Sequence, residues 1–258
     1  MDREVTITNA AGESSRDYVT LEEPLQIIVD GHPIAVSMRT PGHDEELALG
    51  FLLTEGVIRH AAEVRRIDAT LRENHVLVFL RDDVAVDLSR LTRHVFSASS
   101  CGICGKATID AVSLSLPPVA DGFRVHHEVL LDAPLRLIEQ QSTFSRTGGL
   151  HAAGLFDAEG KLLVAREDVG RHNALDKVLG HALTAGIDLT ACFLLVSGRV
   201  SFEIMQKALA GGIPLVAAIS APSSLAVDFA ASSNQTLVAF LRPPRFQIYA
   251  GAERLVIP

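Results

Sequence analysis

Apolar positions change their rhythm near the middle of the chain. Residues 25–38, LQIIVDGHPIAVSM, form two apolar runs around Asp30-Gly31, a dipeptide that favours a tight turn, and predict a hairpin. Residues 41–58, PGHDEELALGFLLTEGVI, open with acids and continue as an apolar stripe through Leu47, Phe51 and Leu52, which predicts a helix. Residues 75–88, HVLVFLRDDVAVDL, predict strand, turn and strand. Pro117-Pro118, within SLPPVADGF at 115–123, suits neither helix nor strand ladder and marks a boundary. Beyond it, Ala174, Leu175, Val178, Leu179, Ala182 and Leu183 share one face of a helix over 171–184, with Gly186 as its stop. Strands at 191–196, 214–219 and 236–240 then alternate with helices at 201–210 and 223–232. Such alternation implies βαβ crossovers and a parallel core sheet. The expected class is α/β: a small N-terminal α+β domain over 1–118, then an α/β domain over 119–258.

Ligands of open α/β sheets gather at the carboxyl ends of the strands. Here those ends lead into SGRVS (197–201), SAPSS (220–224) and RPPR (242–245). The first two precede helices, whose free N–H groups suit phosphate, and the third brings two guanidiniums on a stiff diproline. Arg199, Arg242 and Arg245, with hydroxyls from Ser197, Ser201, Ser223 and Ser224, therefore form a candidate anion site. The alternative is that Ser201 and Ser223 only cap helices and the arginines are solvated.

Composition narrows the partners. The 258 residues carry 23 Lys and Arg against 31 Asp and Glu, a formal net charge of −8, which argues against a broad nucleic-acid surface. The first residues lack a basic-then-apolar leader pattern, and no apolar run reaches the length of a membrane span. Three cysteines, an odd number, do not fit an extracellular disulfide framework, so a cytoplasmic location is expected, with neither membrane nor nucleic acid as partner.

Two cysteines sit in SSCGICGK, residues 99–106. A structural zinc site wants four ligands, and no second C-x-x-C or suitably spaced His pair accompanies this one. A zinc deaminase would show H-x-E upstream and Pro before the first Cys; His43-Asp44-Glu45 has the first shape, but Ser100 stands in the Pro position. Thiol chemistry fits better: small neighbours expose the sulfurs, and Lys106 and Arg93 favour thiolate. Cys192, inside TACFLLV, reads as an inert core residue. The polar stretch 151–180 places Asp168, Arg171, His172, Asn173, Asp176 and Lys177 around a helix start, with His151 after Gly148-Gly149. These groups make either a ligand site or a set of salt bridges to a neighbouring element.

CGICG, GFLLTEGVI, REDVGRHNALDKVLG, VSGRVSFEIMQKA and APSSLAVDFA, in this order across roughly residues 40–250, resemble the formate dehydrogenase accessory sulfurtransferase family, FdhD. The resemblance implies a second domain that is a three-layer, cytidine-deaminase-like α/β unit without intrinsic metal. It implies a sulfur carrier between a cysteine desulfurase and formate dehydrogenase, with sulfur held as a cysteine persulfide. The implied acceptor is the bis(molybdopterin guanine dinucleotide) molybdenum cofactor, which GDP would mimic in part. By the same resemblance Cys101 is the persulfide carrier and Cys104 an assisting thiol. The family's guanine-dinucleotide segment falls on Phe240, Leu241, Arg242, Pro243, Pro244 and Arg245, the loop that the strand-end argument also selects; Pro244 stands where Gly is usual. A cofactor with two equivalent nucleotide arms suits a two-fold homodimer. Two alternatives stand beside this reading: a cofactor-binding chaperone without sulfur transfer, and a zinc-dependent nucleotide deaminase.

Overall fold

The computed structural model describes residues 1–84 and 116–257. Its N-terminal part starts with a hairpin of β1 (Asp2–Thr8) and β2 (Ser14–Thr20). Then come β3 (Glu23–Val29), β4 (His32–Arg39), α1 (Asp44–Thr54), β5 (Val64–Asp68) and β6 (His75–Leu80). The strands β3 to β6 form one sheet in the order β4-β3-β6-β5. The hairpin expected at Asp30-Gly31 is present: both residues have positive φ, 47° and 81°, which two-residue turns of this hand require. The β1–β2 hairpin had no counterpart in the expected elements, because its side chains are mostly exposed and carry no apolar alternation.

After the loop at 116–124 the chain forms β7 (Val125–His126), α2 (His127–Ile138), α3 (Ser142–Thr147), β8 (His151–Asp157) and β9 (Leu162–Asp168). The remaining elements are α4 (Arg171–Ala185), β10 (Cys192–Val196), α5 (Phe202–Ala210), β11 (Leu215–Ala218), α6 (Ser224–Ser232), β12 (Thr236–Arg242), β13 (Arg245–Ala250) and β14 (Leu255–Val256). Six strands make the main sheet, in the order β13-β12-β11-β10-β8-β9. The β10–β11 and β11–β12 pairs are parallel, as the alternating pattern predicts, and the other neighbours are antiparallel. The chain is thus α/β. Sheet sides alternate along β10: Phe193 and Leu195 join α2 in one apolar cluster, whereas Leu194 and Val196 join α4 and α5 in another. Burial on both faces is why the central strands read as unbroken apolar runs.

The larger cluster does not stop at Pro117-Pro118. It runs from Leu25, Ile27, Val76 and Val78 through Leu47 and Leu52 of α1 to Leu175, Val178, Leu194 and Val196. Helix α1 is accordingly buried on almost every side, with Leu47, Ala48, Leu49, Gly50, Leu52, Leu53 and Thr54 all covered, rather than along a single stripe. Its partner is α4. A Cβ on Gly50 would fall on the backbone carbonyl of Asp176, and one on Gly180 would fall on that of Glu46. The two glycines therefore set a backbone-to-backbone approach that no other residue permits without displacement.

Gly50→Ala should lower the stability of the folded chain by about 1–3 kcal/mol, the usual cost of forcing extra volume into a packed contact. Urea unfolding followed by circular dichroism measures it. An unchanged midpoint would contradict the close approach.

Candidate functional site

The parallel strands β10, β11 and β12 bring the three predicted loops to one edge. Hydrogen bonds lace them in sequence: Ile219 N–H to Val196 O at 3.1 Å, Val200 N–H to Ala221 O at 3.1 Å, Ser223 N–H to Val200 O at 2.9 Å and Phe240 N–H to Ser220 O at 3.1 Å. Arg199, Arg242, Pro243, Pro244 and Arg245 are exposed along this edge. Arg242 donates through Nε to Ile219 O at 3.2 Å, and its guanidinium lies 6.0 Å from the Phe240 ring centroid. Phe240 has φ 50° at a bulge in β12 and is 38% exposed. The bulge shifts the strand's alternation, so that Leu241 falls on the same face as Val238 rather than with Leu237 and Ala239. Leu241 is fully buried in the α2-side core, so its side chain anchors the loop and is closed to a ligand.

The serines divide. Ser197 Oγ accepts from Ala152 N–H at 2.9 Å and stitches β10 to β8. Ser223 Oγ accepts from Ala226 N–H at 3.3 Å, an ordinary helix cap on α6. Ser201 makes no side-chain cap, and its buried Oγ has no hydrogen-bond partner among the described residues. Cys101 and Cys104 lie outside the described residues. Cys192 is a buried free cysteine, 2% exposed, and burial first, then Asp188 and Asp157, push its thiol up to about 11.

Three charged groups of the polar stretch 151–180, Asp168, Asp176 and Lys177, are buried in the interior. Lys177 Nζ meets Asp168 Oδ2 at 2.7 Å and donates to Thr40 O at 2.8 Å, with both charged side chains fully buried. Asp168 also accepts from Gly170 N–H at 2.8 Å, Asn173 Nδ2 at 3.0 Å and Thr40 N–H at 3.1 Å. A second clasp joins three helices: Lys207 Nζ of α5 donates to both oxygens of Asp176 on α4, at 2.9 and 2.8 Å, and to Thr54 Oγ1 of α1 at 2.8 Å. Burial pushes the Asp176 carboxyl up despite Lys207. These are the salt bridges of the two alternatives the sequence left open.

Two residues of that stretch behave differently. His151 opens β8 and Arg171 opens α4, yet both lie against Gly198: a Cβ there would sit 3.2 Å from His151 Nδ1 and 3.6 Å from Arg171 Cδ. Arg171 Nε is buried with no hydrogen-bond partner among the described residues. Burial, then the charges of Arg171 and His172, hold the His151 imidazole below its ordinary value. Next to them His172 Nε2 pairs with Glu203 Oε2 at 3.0 Å. Burial acts upward on Glu203, but the His172 hydrogen bond and neighbouring cations outweigh it and leave the carboxyl below its usual range. Sequence reasoning noted His151 and Arg171 but not their meeting, which depends on β8 running antiparallel to β10 and on β9 leading directly into α4. Among the described residues no group of three His, Cys, Asp or Glu side chains could hold a metal ion, and no described helix is long and apolar enough to cross a membrane.

Fold and edge together define an α/β protein with a cationic rim at the carboxyl ends of parallel strands. The FdhD/NarQ family model matches residues 20–256. The chain is 47% identical over 265 residues to the sulfur carrier protein FdhD of Streptomyces coelicolor, covering 98% of this chain and 94% of that one. It is 42% identical over 243 residues to the sulfur carrier protein FdhD of Sulfolobus acidocaldarius, covering 94% and 92%. A crystal structure described as a formate dehydrogenase accessory protein from Desulfotalea psychrophila superposes with a TM-score of 0.79 at 26% identity, over 99% of both chains. The chain belongs to the FdhD/NarQ family.

Lys177→Met should cost about 3–5 kcal/mol in urea unfolding, because it leaves the Asp168 charge buried without its cation. Asp168→Asn in the same chain should recover part of that loss. Glu203 predicts an acid limb: its folded-state value is depressed, so its contribution is complete above the ordinary 4.5 and is lost as pH falls through the lower folded value. Glu203→Gln should flatten stability against pH below that point.

Proposed function

We propose that this chain is a sulfur carrier for formate dehydrogenase maturation. Cys101 takes sulfur from a cysteine desulfurase and passes it to the bis(molybdopterin guanine dinucleotide) molybdenum cofactor before insertion. The nucleotide tails of that substrate bind along the β10–β12 edge. The observation that supports the binding half is the convergence of Arg199, Arg242 and Arg245 on one rim of an otherwise acidic protein. The sulfur half rests on the relatives named as sulfur carriers and on elimination among three cysteines. Cys192, buried with its thiol at about 11, is protonated at neutral pH and shut off from a donor protein, which leaves the Cys101/Cys104 pair.

In the first step Cys101 thiolate attacks the outer sulfur of the desulfurase persulfide; a Cys101–S–SH bond forms as the donor's S–S bond breaks, and the desulfurase leaves as thiolate. In the second, Cys104 thiolate attacks the inner sulfur of Cys101. Hydrosulfide departs toward the metal, and a Cys101–Cys104 disulfide remains for a dithiol reductant to reopen. Arg242 and Arg245 hold phosphate through charge-assisted hydrogen bonds, with the exposed Phe240 ring beside them. A substrate with two nucleotide arms fits a two-fold pair of chains, each offering one edge.

Titration with GDP tests the edge. The Arg242→Ala/Arg245→Ala double variant should bind at least tenfold more weakly, since a charged hydrogen bond contributes about 1.5–3 kcal/mol. Unchanged affinity would remove both arginines from the site. Cys101→Ala should abolish formate dehydrogenase activity in cells that rely on this protein; retained activity would favour a chaperone that transfers no sulfur.

A further inference from the structure

Glu46 sits where α1 crosses α4, and more groups converge on its carboxylate than it can serve. Arg166, on β9, donates to both oxygens, Nε to Oε2 at 2.6 Å and Nη2 to Oε1 at 2.8 Å. His181, on α4, places Nδ1 3.0 Å from Oε1, and His43, just before α1, places Nδ1 3.4 Å from Oε2. The same His181 Nδ1 lies 3.2 Å from Arg166 Nη2. A guanidinium only donates and a carboxylate only accepts, so this ring nitrogen cannot satisfy both neighbours. With its proton it donates to Glu46 and crowds the Arg166 N–H; without it, its lone pair faces the carboxylate.

The other acids of these three elements are engaged. Asp44 accepts from Arg39 at 2.9 and 2.8 Å, Glu45 from Ala69 N–H at 3.3 Å and Glu167 from the N–H groups of Thr143 and Phe144. Asp168 pairs with Lys177 and Asp176 with Lys207. Burial acts upward on Glu46, but the Arg166 and His181 hydrogen bonds outweigh it, so the carboxyl stays ionised while histidines titrate. Burial first, then Arg166, hold the His43 ring below its ordinary 6.5, with Lys177 and His181 adding to the push against the pull of Glu46. Both rings are open to solvent protons, at 42% exposure for His43 and 32% for His181. With neutral rings, Glu46 balances Arg166 one for one. With both rings charged, three cations face a single carboxylate.

We propose that His43, Glu46, Arg166 and His181 form a proton-operated latch on the α1–α4 crossing, closed while the rings are neutral and loosened once both are charged. Its position gives it leverage. A Cβ on Gly180 would fall on the Glu46 carbonyl, so Glu46 and the neighbouring His181 flank the backbone contact itself. Leu47 and Leu52 of α1 share one apolar cluster with Leu25, Ile27, Val76 and Val78 of the N-terminal sheet. Charge gathering at Glu46 therefore acts between that sheet and α4. A ring held below its ordinary value in the folded chain contributes stability above 6.5, and the contribution is lost as pH falls through the lower folded value.

Urea unfolding of the full chain at about pH 8 and about pH 5.5, within the histidine range, tests the latch. Wild type is compared with the His43→Gln/His181→Gln double variant, whose side-chain amides still donate to Glu46. The wild-type midpoint should fall on acidification, and the variant's should fall less than half as far. Equal falls, or a larger one in the variant, would overturn the latch. Proton NMR of the wild-type chain gives a reading that does not depend on the variant's fold. The His43 ring should protonate below free histidine, and amide exchange in α1, corrected for its intrinsic rate, should quicken over the same range. A His43 ring that protonates at or above the free value, or α1 amides indifferent to it, would contradict the proposal.

Discussion

Backbone touches backbone where α1 crosses α4, and the rest of the architecture is arranged around that crossing. Gly50 and Gly180 remove the side chains that would hold the helices apart. The approach brings Thr54 within reach of Asp176 and Lys207, and carries the segment before α1 to the head of α4, where Thr40 meets Asp168 and Lys177. Buried ion pairs add little stability over apolar substitutes, because desolvation offsets their attraction, but losing one partner is costly. Their effect here is registry. Asp168 ends β9 and Lys177 lies on α4, so their pairing fixes the turn that presents Arg171 to the sheet edge. The N-terminal sheet is thus tied to the head of α4 through residues 37–40.

In the proposed reading, the cationic rim is how an acidic chain takes an acidic ligand. Net charge is set by the whole surface, whereas binding is set by the few groups that face the ligand. Along the β8–β12 edge Asp168 and Glu203 are turned inward and paired with lysine, histidine or backbone N–H groups, while Arg199, Arg242 and Arg245 face outward. The surrounding negative surface discourages non-specific polyanions without weakening a site built from local donors.

From Arg171 to Arg242 the elements could be read from the sequence with good boundaries, whereas α2, α3, β8, β9 and β13 had no counterpart among those expected, and the reason is physical. Strands buried on both faces and helices with a covered stripe leave strong periodic marks, as in CFLLV at β10 and in α4 from Arg171 to the stop at Gly186. The convergence of the three strand-end loops followed from that alternation alone. Other features left no such mark. The β1–β2 hairpin is stabilised at its base by pairs such as Arg146 with Asp2 and the Arg146 guanidinium over Tyr18, long-range contacts that local pattern cannot announce. Burial of Leu241 depends on a bulge, and the meeting of His151 with Arg171 depends on the antiparallel placement of β8. Whether the charges near Asp168 formed a site or a clasp turned on which segment packed against them, and residues 37–40 decided it.

Sulfur chemistry then needs a thiol that the core does not own. Cys192 belongs to the core, held by packing and kept protonated by burial. The cysteines of CGICG carry glycines beside them and cationic side chains nearby in sequence, conditions that favour an accessible thiolate. Mass spectrometry of the chain after incubation with a cysteine desulfurase and cysteine examines this assignment at the atom that matters. The account predicts an added mass of about 32 Da, one sulfur atom, on the peptide containing Cys101, reversed by a dithiol reductant. No added sulfur, or sulfur mapped to Cys192, would contradict it.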